Sequence, residues 1–245
     1  MFKFFRAIRQ TLLSEKRLSK YLVYAVGELF LIVFGILIAL QLNNWNENGK
    51  SREVEIKILI ELRKAISDDL QLLNFSYEGN KGTQKSCSII LLHLEQNLPY
   101  HDSLALHFEN ANLWWKVAPR AHAYEKAKLY GLDFIKNDST RILLTQLYEE
   151  RYVFAETLDQ RQSQFYYSTV TPILIELFKS IEVTWQKPTS GNVPLDYEAL
   201  KTNERYKTIL RTSIGQREYF NGWIKLLISH IEELDQLLLT EVEKR

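Results

Sequence analysis

Cysteine is almost missing from this chain: Cys87 stands alone among 245 residues. That excludes an internal disulfide and a cysteine-built metal cage, while a lone thiol fits an oxidising or a reducing compartment alike. Proline and glycine are scarce too, at 5 and 9 copies. So little turn punctuation favours a few long helices over many short strands. The phosphate loop G-x-x-x-x-G-K-[ST], the dinucleotide fingerprint G-x-G-x-x-G and the nucleophile elbow G-x-S-x-G do not occur. Their absence removes the commonest sequence grounds for nucleotide or acyl chemistry.

What is there is a globular composition, 46% hydrophobic and 25% charged, sufficient for one large domain or two small ones. The formal charge of +1 conceals an asymmetry. Residues 1–20 carry Lys3, Arg6, Arg9, Lys16, Arg17 and Lys20 against Glu15 alone, leaving the remainder net acidic. An acidic remainder argues against nucleic acid as a partner.

The longest apolar run, Tyr21–Leu42, holds one charge, Glu28. As a helix it would rise about 33 Å, enough to cross hydrocarbon about 30 Å thick. Basic residues precede it and Asn43-Asn44-Trp45-Asn46 follows, with Tyr21, Tyr24 and Trp45 where interfacial aromatics sit. A buried core helix would need cover on every face. A cleaved signal peptide would have a shorter apolar region and a small-x-small site, whereas this run ends Leu40-Gln41-Leu42-Asn43. The expectation is an uncleaved signal anchor in a bilayer. Residues 1–20 are then a basic, amphipathic cytoplasmic segment, 21–42 a transmembrane helix, and 43–245 an extracytoplasmic domain. In the first segment Phe2, Phe5, Ile8 and Leu12 recur at helical spacing. Two readings stay open: a short helix whose Lys3, Arg6 and Arg9 face anionic lipid, or a plain topology signal.

On the apolar helix, Tyr24, Glu28, Ile32, Gly35, Ala39 and Leu42 project from one side at about 100° per residue. Gly35-x-x-x-Ala39 is a small-xxx-small pair that allows close approach of a second helix. A carboxyl at Glu28 is costly in lipid unless protonated, bonded or wet. Glu28, Ile32, Gly35 and Ala39 are therefore the candidate helix–helix interface, with a second copy or another membrane protein as partner. The bland alternative is that Glu28 snorkels and Gly35 is incidental. One carboxylate makes no proton relay.

The stretch Phe4-Phe5-Arg6-Ala7-Ile8-Arg9, then Lys20-Tyr21-Leu22, Gly27-Glu28, Gly35-Ile36 and Ala39–Glu47 (ALQLNNWNE) resembles the N-terminus of a known family. This is an uncharacterised Bacteroidota family of single-pass membrane-anchored proteins, domain of unknown function 6090. Tyr124-Glu125, Gly131-Leu132, Ile135-Lys136-Asn137 and Leu147-Tyr148 resemble a middle segment of the same family more loosely. The resemblance implies a Gram-negative inner-membrane location, and no activity or catalytic residues.

Beyond Ser51, Leu59, Leu62, Ile66, Leu70, Leu73 and Tyr77 step by three and four, so a helix continues outward. Polar Glu78–Ser86, with Gly79 and Gly82, permits either a break or an unbroken helix before Cys87, Ile90, Leu91 and Leu94; Pro99 ends it. A segment over Ser103–Val117 follows, then a short helix stopped by Gly131. Asp138 or Ser139 should cap a long helix running toward Trp185, kinked or turned at Pro172. Gln186–Asp196 reads as a loop. The last helix begins near Thr202, and its stripe Phe220, Ile224, Leu227, Ile231, Leu234 and Leu238 approaches a 3.5-residue repeat. The expected fold is all-α: one N-terminal transmembrane helix followed by an antiparallel bundle of long helices.

Reactive constellations are few. His101-Asp102 with His107 and Glu109 is the only metal-like cluster, and a spacing of six turns the two histidines to different faces. Asp68-Asp69 and Glu232-Glu233 read as solvated helix faces. Trp114-Trp115 and Phe165-Tyr166-Tyr167 read as core more readily than as pocket lining. The expectation is no enzyme and no cofactor. It is instead a membrane-anchored interaction module that self-associates or docks a membrane or periplasmic partner. The alternative is a ligand-sensing periplasmic bundle, which would have to signal through a partner because about twenty cytoplasmic residues form no output domain.

Overall fold

The computed structural model describes residues 18–181 and 191–244, with side chains from Ala25 onward. Lys3, Arg6, Arg9 and the amphipathic pattern around them lie outside the described residues, as do Trp185 and part of the Gln186–Asp196 loop. All regular structure among the described residues is helical, apart from one isolated bridge between Phe178 and Pro194.

Helix α1 spans Leu18–Glu95 without interruption. The chain divides into two compact units, residues 1–55 and 56–245, and α1 supplies residues to both. In the first unit its apolar side chains from Val26 to Leu42 are exposed. It is the one helix among the described residues long and apolar enough to cross a membrane. Its most apolar window has mean hydropathy 2.3, and none of that window is buried. The helix ends at a Schellman turn: Asn97 adopts φ +54 and the Leu98 N–H donates to the His93 carbonyl at 3.0 Å.

In the larger unit, α2 (Ser103–Asn110) buries Leu104 and Phe108. It stops well short of Val117, leaving residues 113–120 without helix, turn or bend. Helix α3 (His122–Tyr130) ends where Gly131 takes φ +98, as the sequence suggested. Helix α4 (Asp138–Thr145) is capped by neither Asp138 nor Ser139. The cap is Asn137, whose Oδ1 accepts from the Ser139 and Thr140 N–H groups. From α4 the chain stays helical to Leu177 through α5 (Tyr152–Phe165) and α6 (Thr171–Leu177). Wider π-type turns join them at Gln146–Arg151 and Tyr166–Val170. The second absorbs Pro172, which lacks an N–H and would crowd the carbonyl four residues back in a regular helix. The expected run to Trp185 ends early because residues 177–179 bond to 193–195 instead, through Lys179 N–H to Val193 O (2.9 Å) and Leu195 N–H to Leu177 O (2.8 Å). Helix α7 (Tyr197–Thr202) and α8 (Glu204–Glu243) are separated by Asn203, which caps α8 through Tyr206 N–H.

The apolar stripes of α1 and α8 build two cores. In one, Leu59, Leu62, Ile66 and Leu73 meet Phe220, Ile224, Leu227 and Leu234, with Leu144 and Leu147. In the other, Cys87, Ile90 and Leu94 meet Phe108, Leu174, Tyr206 and Leu210. Between them both stripes turn polar while staying buried: Ser76, Asn80 and Thr83 on α1, Ser213 and Arg217 on α8. Asp159 and Gln162 of α5 join them. Helix α1 does not break at Glu78–Ser86, and Asn80, Thr83 and Ser86 of that run are buried.

Leu227 is fully buried and Leu226 half exposed. Leu227→Ala should cost about 2–5 kcal/mol in urea unfolding, and Leu226→Ala about 0.5 kcal/mol or less.

Candidate functional site

Residues 111–121 cross the waist, and buried side chains of three helices hold them. On α1, the Asn80 Nδ2 donates to the Trp115 carbonyl at 2.8 Å, and the Trp115 N–H donates to Asn80 Oδ1 at 3.3 Å. The Ser76 hydroxyl donates to the Lys116 carbonyl (2.6 Å), and the Arg120 N–H donates to Asp69 Oδ1 (3.0 Å). On α8, Arg217 donates to the carbonyls of Ala111 (3.1 Å) and Leu113 (2.8 Å) and lies 5.7 Å over the Trp114 ring. On α5, Asp159 accepts the Trp114 Nε1–H at 2.8 Å, with the Val117 N–H as a second donor. The spacing shows that the segment is extended. From Asn80 back to Asp69 the helix rises about 16 Å, and an extended chain covers about 16 Å from Trp115 to Arg120. Gly79 is required here, because a Cβ would overlap the Trp115 indole.

Between this segment and α5 lies a groove of about 660 Å³, walled by Lys116, Val117 and Pro119 on one side and Tyr148, Tyr152, Val153, Glu156 and Asp159 on the other. A second hollow of about 490 Å³ shares Lys116 and Ser163 and continues past Trp114, Tyr166 and Tyr167. Volumes of about 300–1,000 Å³ are typical of ligand sites. Asp159 is only 8% exposed. Burial pushes its carboxyl up to about 6, although the bonds from Trp114 and Val117 pull the other way. Asp69, 1% exposed, is raised by burial against the bonds from Arg120 N–H and the Tyr152 hydroxyl. Burial and the nearby Asp69 likewise hold Tyr148 and Tyr152 in their protonated forms. The Tyr148 ring stacks on Tyr124 at 4.5 Å, and the Tyr124 hydroxyl donates to Glu149 (2.8 Å).

The residues singled out from sequence fall in separate places. Glu28, Ile32, Gly35 and Ala39 lie in the first unit, where a Cβ on Gly35 would meet nothing within 4 Å. Asp68 is solvated and pairs with Arg120 at 2.8 Å, but Asp69 is buried, contrary to the solvated reading. The crossing segment covers that face of α1. His101 is exposed and bonds Ser103 (2.8 Å), whereas His107 bonds Ser86 (3.1 Å). Burial and the neighbouring Lys85 and His93 lower His107. Among the described residues no group of three or more His, Cys, Asp or Glu could hold a metal. The aromatic runs divide. Trp114 packs on Phe220 (4.7 Å) and Trp115 meets Phe75 edge-on (5.0 Å), while Tyr166 and Tyr167 line the second hollow.

Sequence reading missed Ser76, Asn80, Asp159 and Arg217. A signal for three of them existed. The three–four stepping from Leu73 through Ser76, Asn80 and Thr83 to Cys87 never breaks, nor does that from Leu210 through Ser213 and Arg217 to Phe220. The stripe changes chemistry without ending. Comparison with protein-family models, curated proteins and solved structures returned no match.

Two outcomes follow from this geometry. Gly79→Ala should lower stability by about 1–3 kcal/mol despite its better helix propensity. Gly82→Ala, where a Cβ meets nothing within 4 Å, should raise it by about 0.5–1 kcal/mol. For pH, a carboxyl raised on folding favours the folded state as it protonates. Wild type should therefore gain up to about 3 kcal/mol over Asp159→Asn between pH 8 and pH 4. The comparison with the variant cancels His107 and His230, whose lowered values act in the opposite sense over the same range. Parallel stability–pH curves for the two proteins would refute the assignment to Asp159.

Proposed function

We propose that the chain is a membrane-anchored, extracytoplasmic helical interaction module, which self-associates or docks a membrane or periplasmic partner. The observation that carries the reading is the apolar stretch of α1. Val26, Leu29, Phe30, Leu31 and their neighbours to Leu42 are all exposed, on a helix whose later residues build a core. Apolar surface of that extent needs lipid or protein against it. With the basic residues before it, the positive-inside rule puts residues 1–20 in the cytoplasm and the bulk of the chain outside, in the periplasm of a Gram-negative inner membrane. The resemblance of residues 1–50 to the Bacteroidota family supports the same location. Glu28, Ile32, Gly35 and Ala39 form the interface face, open along Gly35 and half exposed at Ile32.

In this reading the larger unit is an antiparallel bundle. The ion pair Arg63–Asp235 (2.8 Å) and the ion pair Glu95–Arg211 (2.6 Å) support it, because rising numbers on α1 meet falling numbers on α8. Catalysis has no part in it: Asp69 and Asp159 both accept structural hydrogen bonds. The groove beside residues 116–121 favours the second reading, a ligand-sensing bundle that signals through a partner protein.

Crosslinking in native membranes should trap a dimer or a heteromeric band, lost in Gly35→Leu and Ala39→Leu. Monomers alone, with no retained partner, would sink the proposal. A thermal-shift screen of metabolites separates the readings, since a sensor is stabilised by its ligand.

A further inference from the structure

Hydrogen bonds at its two ends fix which way round the groove is built. Asp159 accepts from Trp114 and Val117, so its turn of α5 lies against the start of the extended segment. The Tyr152 hydroxyl donates to Asp69 Oδ2, and Asp69 Oδ1 accepts the Arg120 N–H, so the turn carrying Tyr152 lies toward the segment's end. The two walls therefore run in opposite directions and share one gradient. Toward Arg120 the lining is Pro119, Ala121, Tyr148, Tyr152 and Val153; toward Trp114 it is Lys116, Asp159, Gln160 and Ser163, with Glu156 between. Tyr152 and Asp159 stand two turns apart, about 10 Å along the axis.

The polar end holds a carboxyl with no counter-charge bonded to it. Asp159 is 8% exposed, and both of its donors, the Trp114 and Val117 N–H groups, are neutral. Lys116 and Glu156 act on it through space with opposite signs. Arg217 of α8 is committed to the carbonyls of Ser213, Ala111 and Leu113, and Ser76 and Asn80 on α1 are neutral. Exposed His122 follows Ala121 at the apolar end. A carboxylate has about four acceptor sites, so about two of those on Asp159 are left for an occupant. Burial without a bonded cation is what pushes it up to about 6.

We infer that the groove is a site for a small organic ammonium ion: a protonated amine on an elongated apolar body, its charge on Asp159 and its body between Pro119 and Tyr152. Charge complementarity sets the class. Of the three charged side chains in the lining, two are carboxylates and only Asp159 is buried. Lys116 is exposed, on a stem long enough to keep its ammonium in water. An ammonium brings three donors; Gln160 and Ser163, lining the same end, offer acceptors for those that Asp159 does not take. A neutral molecule would leave the carboxyl uncompensated, and an anion would be repelled by it. The assignment rests on the ligand-sensing reading and names the ligand chemistry for it.

The test is titration calorimetry of the full chain in maltoside detergent, against detergent alone, with tryptamine, phenethylamine and hexylamine. At pH 7.5 at least one amine should bind saturably, about tenfold tighter than its alcohol (tryptophol, 2-phenylethanol or hexanol). Indole-3-propionate, an anion shaped like tryptamine, should bind no better than tryptophol. Amine affinity should fall about tenfold from pH 7.5 to pH 5, because a carboxyl near 6 goes from about 97% to about 9% ionised while the amine stays charged. At pH 6 binding should release about half a proton, read from heats in two buffers of different ionisation enthalpy. Asp159→Asn should abolish both the proton release and the preference for amine over alcohol, and His122→Ala should keep both. Should Asp159→Asn fail to fold, the wild-type pH dependence and proton release still decide the matter. An amine no tighter than its alcohol, no proton release, or release retained in Asp159→Asn would each overturn the inference. If the amines fail while a metabolite without an amine stabilises the chain, the sensing reading survives its ligand assignment; if nothing stabilises it, both fall.

Discussion

A backbone that passes through a protein interior must have its N–H and C=O groups bonded, because an orphaned buried group costs about 1–3 kcal/mol. Residues 111–121 impose that requirement on the larger unit, and its helices are arranged to meet it. Ser76 and Asn80 on α1, Asp159 on α5 and Arg217 on α8 are buried polar residues in otherwise apolar stripes, and each bonds the crossing segment. The apolar core is consequently two cores with a polar waist between them. Gly79 belongs to the same requirement: its missing side chain lets the Trp115 indole lie against α1.

Arg217 shows why the residue types at the waist are specific. It is 2% exposed and bonds three carbonyls, those of Ser213, Ala111 and Leu113. Burial lowers its affinity for the proton, yet a guanidinium stays charged where an ammonium would give it up. Its Nη2 donates to two carbonyls of the crossing segment while Nη1 bonds Ser213 of its own helix and its face covers Trp114. Asp159 also bonds the segment, with a carboxyl that burial pushes up to about 6. The cation is thus compensated by carbonyl dipoles and an aromatic face.

Much of the fold was legible because periodicity and backbone-special residues report local physics. The all-α class, the α8 stripe from Phe220 to Leu238 and the stop at Gly131 all appear in the structure. The elements misjudged are those decided by partners distant in sequence. Asp69 reads as one of a solvated pair until a segment fifty residues later covers it. The helix toward Trp185 loses residues 178–179 to pairing with 193–195, which no local propensity reveals. The cap falls at Asn137, one or two residues before the expected Asp138 or Ser139, within the ordinary blur of helix ends. Asn80 and Arg217 sat in unbroken three–four stepping, but polar residues at such positions look like interruptions unless something polar is known to lie opposite.

The two π-type turns at Gln146–Arg151 and Tyr166–Val170 bear on how this chain tolerates change in length. Each holds one residue more than a regular turn, which sets back the azimuth of everything after it by about 100°. That phase shift lets one run of helix aim Leu144 and Leu147 at the first core and Ile173 and Leu174 at the second. Loss of a single residue there would relax the turn to ordinary α geometry and leave every later side chain on its target, because the missing step and the vanished lag cancel; the same loss within a regular α turn would rotate all that follows.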